Sequence, residues 1–393
     1  MKRLAITLSG CLLATSLLSG CDTLRGMVDI ITPSGQSTAK TQELKALADF
    51  KPAVNLATRW QVNTGHSSKH YSRIFPYLNE TAVFVAGGES VSAWNKANGG
   101  GLWKTPVSEK ITGGVNGGGG QVFVGTADGS AIALNAANGQ VQWAERLSSE
   151  ILAVSNADQG VVVFRTADGK LNALSATSGE MIWQRKKPVP ALTIRGGGVP
   201  VALGGIVVAG FDDGTVTAFE LKTGRGLWET ILSVPRGSND IEQITDVDGR
   251  LKILGSALFA TSYSGRIAGI DMQNGKPAWV KNFASHVGVE ANQQSLFAVS
   301  REGEIWRLNP QTGEAYWKSE NLQTRSPTTP TLAGDYLVVG DIEGYLHWLN
   351  AENGQTAGRL RSDPKGYNTP VVADGNMVYS FGKSGILAAH TIQ

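Results

Sequence analysis

An all-β fold, an eight-bladed β-propeller of four-stranded antiparallel blades, is what this sequence of 393 residues predicts, and three observations lead to it. A Gly is followed four residues later by a Trp at Gly99/Trp103, Gly139/Trp143, Gly179/Trp183, Gly224/Trp228, Gly275/Trp279 and Gly313/Trp317, and once more at Gly354/Gly358, where the Trp is missing. Counted from Trp60, these Trp residues are 43, 40, 40, 45, 51 and 38 residues apart, close to the roughly 40 to 50 residues of one four-stranded blade. The last repeat, starting near Met377, reaches Gln393 one strand short, while a spare strand-like segment, Leu56 to Val62 with Trp60, precedes the first full repeat. Joining the two gives eight blades and removes the open edge that invites aggregation. A repeat buries its apolar face only against its neighbours, so the array is one body despite its length.

The chain begins with a separate unit. Lys2 and Arg3 precede a mainly apolar stretch from Leu4 to Leu18, and Leu18-Ser19-Gly20-Cys21 ends it on small residues and a Cys. Such a segment is a secretory signal rather than a membrane span, and the tetrapeptide resembles a bacterial lipobox. Residues 1–20 are therefore expected to be a lipoprotein signal peptide with Cys21 as the lipidated mature N-terminus. The same tetrapeptide at Leu8 to Cys11 would leave too short an apolar core. Two acyl chains suffice for stable anchoring. Residues 21–52 mix polar, Gly, Pro and charged residues and are expected to be a flexible tether, with one or two helical turns near Glu43 to Phe50; the propeller is expected over 53–393.

Loss of the signal removes Cys11, Lys2 and Arg3, leaving one Cys and 33 basic against 33 acidic residues. No internal disulfide can form, so the core must hold the fold in an oxidising compartment. A chain without net charge lacks the basic excess that nucleic-acid binding uses, which argues against that class.

From Leu56 onward each unit repeats one order: a β-branched or aromatic run, a Gly turn, an alternating run, a turn ending in Gly, and a strand bearing Trp. The second reads Val122-Phe123-Val124-Gly125, then Asp128-Gly129, Ala131 to Leu134, Asn135 to Gly139, and Val141-Gln142-Trp143. Asp-Gly and Asn-Gly supply the positive φ of tight hairpin turns. Gly169, Gly214, Gly265, Gly303, Gly344 and Gly385 take the place of Gly129 in the other units. A Trp four residues past the turn Gly is placed to stack over the turn of the next blade, burying its ring and giving its N–H a carbonyl.

The pattern Ala, x, Asp/Asn, x, x, Thr/Asn, Gly, three residues, Trp resembles the tryptophan-docking motif of pyrroloquinoline-quinone-type propellers. It is present as Ala133, Asn135, Asn138, Gly139, Trp143 and, with Glu at the acidic position, as Ala218, Glu220, Thr223, Gly224, Trp228; Ser175 and Gly358 depart from it. From lipobox to last blade the chain resembles the BamB family, the propeller lipoproteins of the bacterial outer-membrane β-barrel assembly (BAM) machine. Leu192-Thr193-Ile194-Arg195-Gly196 is similar to that family's exposed Leu-x-Leu-Arg-Gly loop, with Ile for the second Leu. Asp246-Val247-Asp248 and the run Val338 to Leu346 are similar too. The resemblance implies a non-enzymatic scaffold. It would bind the periplasmic POTRA domains of the BamA-type barrel subunit and, through it, the other BAM lipoproteins, and would assist folding and insertion of β-barrels. It also implies an outer-membrane location facing the periplasm, although Asp22, next to the lipidated Cys, resembles an inner-membrane retention signal of enteric bacteria.

Partner-binding candidates on this reading are Leu192, Ile194, Arg195, Asp246 and Asp248. The longest Trp spacings, 45 and 51, put their extra residues after Trp183 and Trp228, in connections that share a rim with the Asp-Gly turns. Loops 186–198 and 235–250 should thus stand side by side. Aliphatic side chains beside a guanidinium suit an interface hot spot; the two Asp carboxylates suit either a partner's basic groups or the orientation of Arg195. The blander alternative tucks Leu192 and Ile194 into the blade and leaves the Asp pair capping a turn.

The enzyme alternative is a quinoprotein-type dehydrogenase, and a further binding alternative is a periplasmic peptide or glycan propeller. The enzymes this fold resembles hold their quinone between a Trp and an adjacent-Cys disulfide beside a Ca²⁺ ligand set, and neither is present in this sequence. No cofactor, metal or catalytic residue is expected. The histidines His66, His70, His286, His347 and His390 form no i, i+4 pair and need no metal. Asp128, Asp168, Asp213 and Glu302, each next to a turn Gly, are expected to accept backbone N–H groups.

Overall fold

The computed structural model describes residues 43–66, 74–193, 198–235 and 243–393. They form eight four-stranded antiparallel sheets, seven of them from strands consecutive in sequence. Blade 1 comprises Tyr77–Leu78, Ala82–Gly87, Ser90–Asn95 and Gly101–Pro106. Blades 2 to 7 occupy 111–146, 151–186, 201–231, 252–282, 289–319 and 331–361. Blade 8 joins Val372–Asp374, Met377–Phe381 and Ile386–Ile392 to Leu56–Asn63, which pairs antiparallel with Ile386–Ile392 as the outer strand. The ring therefore closes as the spare Trp60 strand predicts. The last unit begins five residues earlier than the sequence pattern suggests, because its three-residue inner strand is too short to show alternation.

The core is divided among the blade interfaces. Eight apolar clusters each draw side chains from two adjacent blades, such as Phe123, Trp143 and Leu147 of blade 2 with Val162, Phe164 and Leu174 of blade 3. At the outer end of seven interfaces an indole lies over the glycine turn of the next blade. Trp143 donates its Nε1–H to the Ala176 carbonyl at 2.7 Å and Trp183 to Leu221 at 2.7 Å, and Trp60, Trp103, Trp228, Trp279 and Trp317 make the corresponding bonds. Contact is close: a Cβ on Gly139, at φ 72°, would sit 2.6 Å from the Trp103 ring. The motif Ala has its own reason. Ala93, Ala133, Ala173 and Ala218 lie directly opposite the Trp of their blade, and a register shift follows each pair. A bulge of this kind re-aims the side chain on the bulged strand.

Gly358 fits the same geometry with the volumes exchanged. Its cross-strand partner is Trp348, fully buried on the third strand. Blade 8 has no turn between its third and fourth strands, since these are the last and the first strand of the propeller, so an indole at 358 would have nothing to dock on. The N-terminal segment takes its place: Ala53 donates its N–H to the Ala357 carbonyl at 2.8 Å, and a Cβ at 358 would lie 2.9 Å from Leu56.

Residues 43–50 form no helix, contrary to expectation. The compact unit starts at Leu44. Lys45 donates its N–H to Thr324 Oγ1 at 2.8 Å and accepts from Arg325, Leu47 packs into the cluster between blades 6 and 7, and Arg359 lies 5.0 Å from the Phe50 ring. Leu47 and Phe50 of the short amphipathic run thus have a tertiary surface, which competes with a helix too short to be stable alone.

Two substitutions at equivalent motif positions should act for opposite reasons. Trp143→Ala should cost about 3–5 kcal/mol of unfolding free energy, from lost burial and an orphaned Ala176 carbonyl. Gly358→Trp, which restores the motif in sequence, should cost about 1–3 kcal/mol by overpacking against Trp348 and Leu56. Urea denaturation of both variants checks this; a stabilised Gly358→Trp would contradict the account of ring closure.

Candidate functional site

In a blade, the turn between strands two and three and the connection to the next blade emerge at the same end, so they share one rim. On that rim the two long connections meet. Gly198 donates its N–H to Asp248 Oδ1 at 2.9 Å. Val247 donates to the Phe211 carbonyl at 3.1 Å, Tyr263 to the Asp246 carbonyl at 2.9 Å, and Thr245 Oγ1 to the Asp212 carbonyl at 2.9 Å. Gly210 is obligatory here, because any Cβ would collide with the Val247 carbonyl. The connection after blade 4 is thus stitched to blades 4 and 5, and the end of the connection after blade 3 is held against it.

Beneath this junction lies Arg165, on the second strand of blade 3, with only 2% of its surface exposed. It donates to the Gly210 carbonyl at 2.8 Å, pairs with Asp212, reaches Asp248 Oδ1 at 3.5 Å, and lies 5.7 Å from the Phe211 ring. Burial alone would lower its pKa, but the carboxylates of Asp248, Asp212 and Asp246 outweigh it and raise the pKa above the usual guanidinium value. Carboxylate oxygens of Asp212, Asp246 and Asp248 lie within 4.8 Å of one another. With a guanidinium hydrogen-bonded among them, the arrangement is an ion-pair knot.

The sequence candidates separate into three groups. Leu192 is exposed at 44%. Asp246 and Asp248 are buried, at 1% and 6%, and face the protein. Cys21, Ile194 and Arg195 lie outside the described residues. The same rim carries apolar side chains that sequence reasoning passed over: Val189, Val234 and above all Ile231, exposed at 66%. Ile231 ends the outer strand of blade 4, where an aliphatic residue looks like ordinary strand pattern. Arg165 was missed too, although a cation directly after the apolar run Val161-Val162-Val163-Phe164 was its signal.

His70 lies outside the described residues; among those described, three histidines are buried with partners. His66 lies 2.9 Å from the Gly87 carbonyl and 3.1 Å from Ser92, His347 3.0 Å from Asp341, and His390 3.0 Å from Ser380. Asp213 accepts from the Thr215 N–H at 3.0 Å and Asp128 from Ser130 at 3.2 Å, as turn residues do; Asp168 instead accepts the Thr166 hydroxyl at 2.6 Å, and Glu302 lies 3.6 Å from Arg301. The axial cavity, walled by residues including Phe75, Val115, Leu152, Val199 and Val287, holds about 50 Å³, against roughly 300 Å³ where small-molecule pockets begin.

The family model described as outer membrane protein assembly factor BamB matches residues 87–319 and 308–391. The chain belongs to the BamB family. It is 41% identical over 349 residues to outer membrane protein assembly factor BamB of Pseudomonas aeruginosa, covering 88% of this chain and 92% of that one. With BamB of Escherichia coli it shares 33% over 380 residues, 93% and 94% of the two chains. The crystal structure of BamB from Moraxella catarrhalis superposes with a TM-score of 0.79 at 27% identity, over 86% of this chain and 100% of that one. Quinohemoprotein alcohol dehydrogenase from Comamonas testosteroni, at 14% identity and a TM-score of 0.67 over 88% and 78%, shares the fold alone. Membership of the BamB family, rather than of the dehydrogenases, makes this a non-enzymatic propeller.

Burial holds His66 and His390 down at about 4 from 6.5; beside His66, Lys104 adds to the effect and the Gly87 carbonyl opposes it. The unfolded chain binds protons near pH 6.5 while the folded one refuses them until about 4. Their contribution to stability is therefore complete above pH 6.5 and is lost as pH falls toward 4. Melting temperature should drop across that window, and His390→Asn should show a shallower drop than the wild type. Equal slopes would contradict the assignment.

Proposed function

We propose that this BamB family member is a lipid-tethered scaffold of the outer-membrane protein assembly machinery. It is associated with the outer membrane on the periplasmic side, anchored through acylated Cys21, and holds the POTRA domains of the BamA-type barrel subunit by the rim where the connections after blades 3 and 4 meet. Through that subunit it joins the other BAM lipoproteins and assists folding and insertion of β-barrel proteins. Family membership supports the assembly role. The observation that carries the docking rim is the bond from Gly198 to Asp248, which joins the two long connections, while those connections and the end of the outer strand of blade 4 expose Leu192, Val189, Val234 and Ile231.

The roles divide by burial. Leu192 and Ile194 enter an apolar pocket of the partner, with Ile231 and Val234 widening the ledge, and Arg195 supplies a charge-assisted bond. Asp246 and Asp248 act from inside, by fixing the connections that bear those side chains. Exposed aliphatic side chains beside a guanidinium suit an interface hot spot.

Recovery of the barrel subunit from detergent-solubilised membranes with tagged protein tests this. Leu192→Ala with Arg195→Glu should reduce recovery about tenfold or more, whereas Leu102→Ala, an exposed residue on the outer strand of blade 1, should leave it unchanged. Recovery equal to wild type with the double variant would sink the proposed rim.

A further inference from the structure

We infer that Arg165, which is almost wholly buried and belongs to neither long connection, is the positioning residue of the docking rim: its guanidinium sets the spacing of the two connections and so decides whether Leu192 is presented to the partner. The inference rests on the docking role proposed above.

Arg165 joins two blades and the connection to a third through one planar group. It is covalently part of blade 3, bonds the carbonyl of Gly210 and the carboxylate of Asp212 in blade 4, and reaches Asp248 in the connection to blade 5. Asp248 Oδ1 also accepts the Gly198 N–H, at 2.9 Å. One carboxylate oxygen is thus shared between the guanidinium and the backbone of the other connection. A chain of contacts runs from Arg165 through Asp248 to Gly198, six residues along the chain from Leu192. None of these contacts, from Arg165 to Asp248 and from Asp248 to Gly198, is a surface pair. Arg165, Asp248 and Asp246 are almost fully buried, and packing at Gly198 and Gly210 is tight enough that a Cβ on Gly198 would lie 2.9 Å from the Val247 carbonyl. A buried cation cannot be exchanged for a neutral group without leaving buried carboxylates short of a counter-charge, and these then move toward water. Movement of Asp248 releases Gly198, and the connection bearing Leu192 loses its fixed end. Lys cannot substitute, because three directed bonds from one planar fork are beyond a single ammonium on a flexible stem.

The position of Arg165 also distinguishes it from other buried charges of the ring. Arg325, Asp341 and His347 form a comparable knot on blade 7 and its entering connection, and Arg325 holds the Lys45 carbonyl of the N-terminal segment. That knot secures ring closure on the far side of the molecule. Two knots of similar chemistry thus serve two ends, one the closing segment and one the docking connections.

The experiment compares full-length acylated protein carrying Arg165→Met, Arg165→Lys, Leu192→Ala, or Arg165→Met with Leu192→Ala. Each is titrated with purified barrel subunit in detergent, alongside melting curves and hydrogen exchange of the Gly198 and Val247 amides. Expected are a rise in Kd of about tenfold for Arg165→Met, failure of Arg165→Lys to restore it, faster exchange at Gly198 and Val247, and a double variant no weaker than the more damaging single one. The last result separates positioning from general destabilisation, whose effect would add to that of Leu192→Ala. Folded Arg165→Met binding like wild type while Leu192→Ala binds weakly would overturn the inference and spare the docking role. Unimpaired binding by Leu192→Ala would overturn both. Should Arg165→Met not fold, Asp212→Asn, which weakens the guanidinium's hold while leaving the cation, decides on the same readouts.

Discussion

Everything in this molecule depends on how eight small sheets are kept in a ring, and the contact that does so is an indole laid over a glycine turn of the next blade. It joins three requirements in one place. The turn needs a residue without a Cβ, the indole needs a flat apolar floor and an acceptor for its N–H, and the sheet needs a small residue opposite the ring. Gly139, the Ala136 carbonyl and Ala93 meet them for Trp103. Seven interfaces place an indole over a glycine turn, and in six of them Ala or Gly stands opposite the ring; Trp317 instead faces Arg307. At the eighth, the last and the first strand of the propeller meet where a turn would be, and the design is inverted: the indole moves to Trp348 on the third strand, Gly358 clears the outer one, and residues 53–56 fill the gap.

A ring held at its circumference leaves its rims free to vary. Each blade needs only four strands and one dock, so residues added between blades disturb no interface. The connections after blades 3 and 4 use that freedom, and their added residues converge at one junction because neighbouring blades place successive connections next to each other. The junction combines apolar packing with charge. Val247 is fully buried in the cluster between blades 4 and 5, and Arg165 with the carboxylates of Asp212 and Asp248 adds directional bonds, which fix position.

Most of the ring was legible in the sequence, because its determinants are local: Asp-Gly turns, period-two strands and the spacing from Gly to Trp each occupy a few consecutive residues. Even closure could be read, since Trp60 had no unit of its own and the last unit lacked a strand. What could not be read was whatever depends on residues distant in sequence. Glu43 to Phe50 looked helical because the groups that hold it extended, among them Thr324, Arg325 and Arg359, lie some 280 or more residues away in sequence. Gly358 looked like a defect because its compensation, Trp348, sits on another strand. Asp246 and Asp248 looked like surface charges because Arg165, some eighty residues earlier, is what makes their burial tolerable. Ile231 went unnoticed for the reverse reason, since an aliphatic strand residue is assumed to be covered until a structure leaves it bare.

The central claim is that the regular part of the ring is a frame and that recognition is confined to the junction of its two irregular connections. Site-specific photo-crosslinking in cells tests it most directly, with a photoreactive residue at Leu192, Ile231, Leu102 or Tyr316, all exposed apolar positions. The account predicts adducts with the barrel subunit from 192 and 231 and none from 102 or 316. Adducts from the outer-strand positions 102 and 316, with none from 192 and 231, would contradict it.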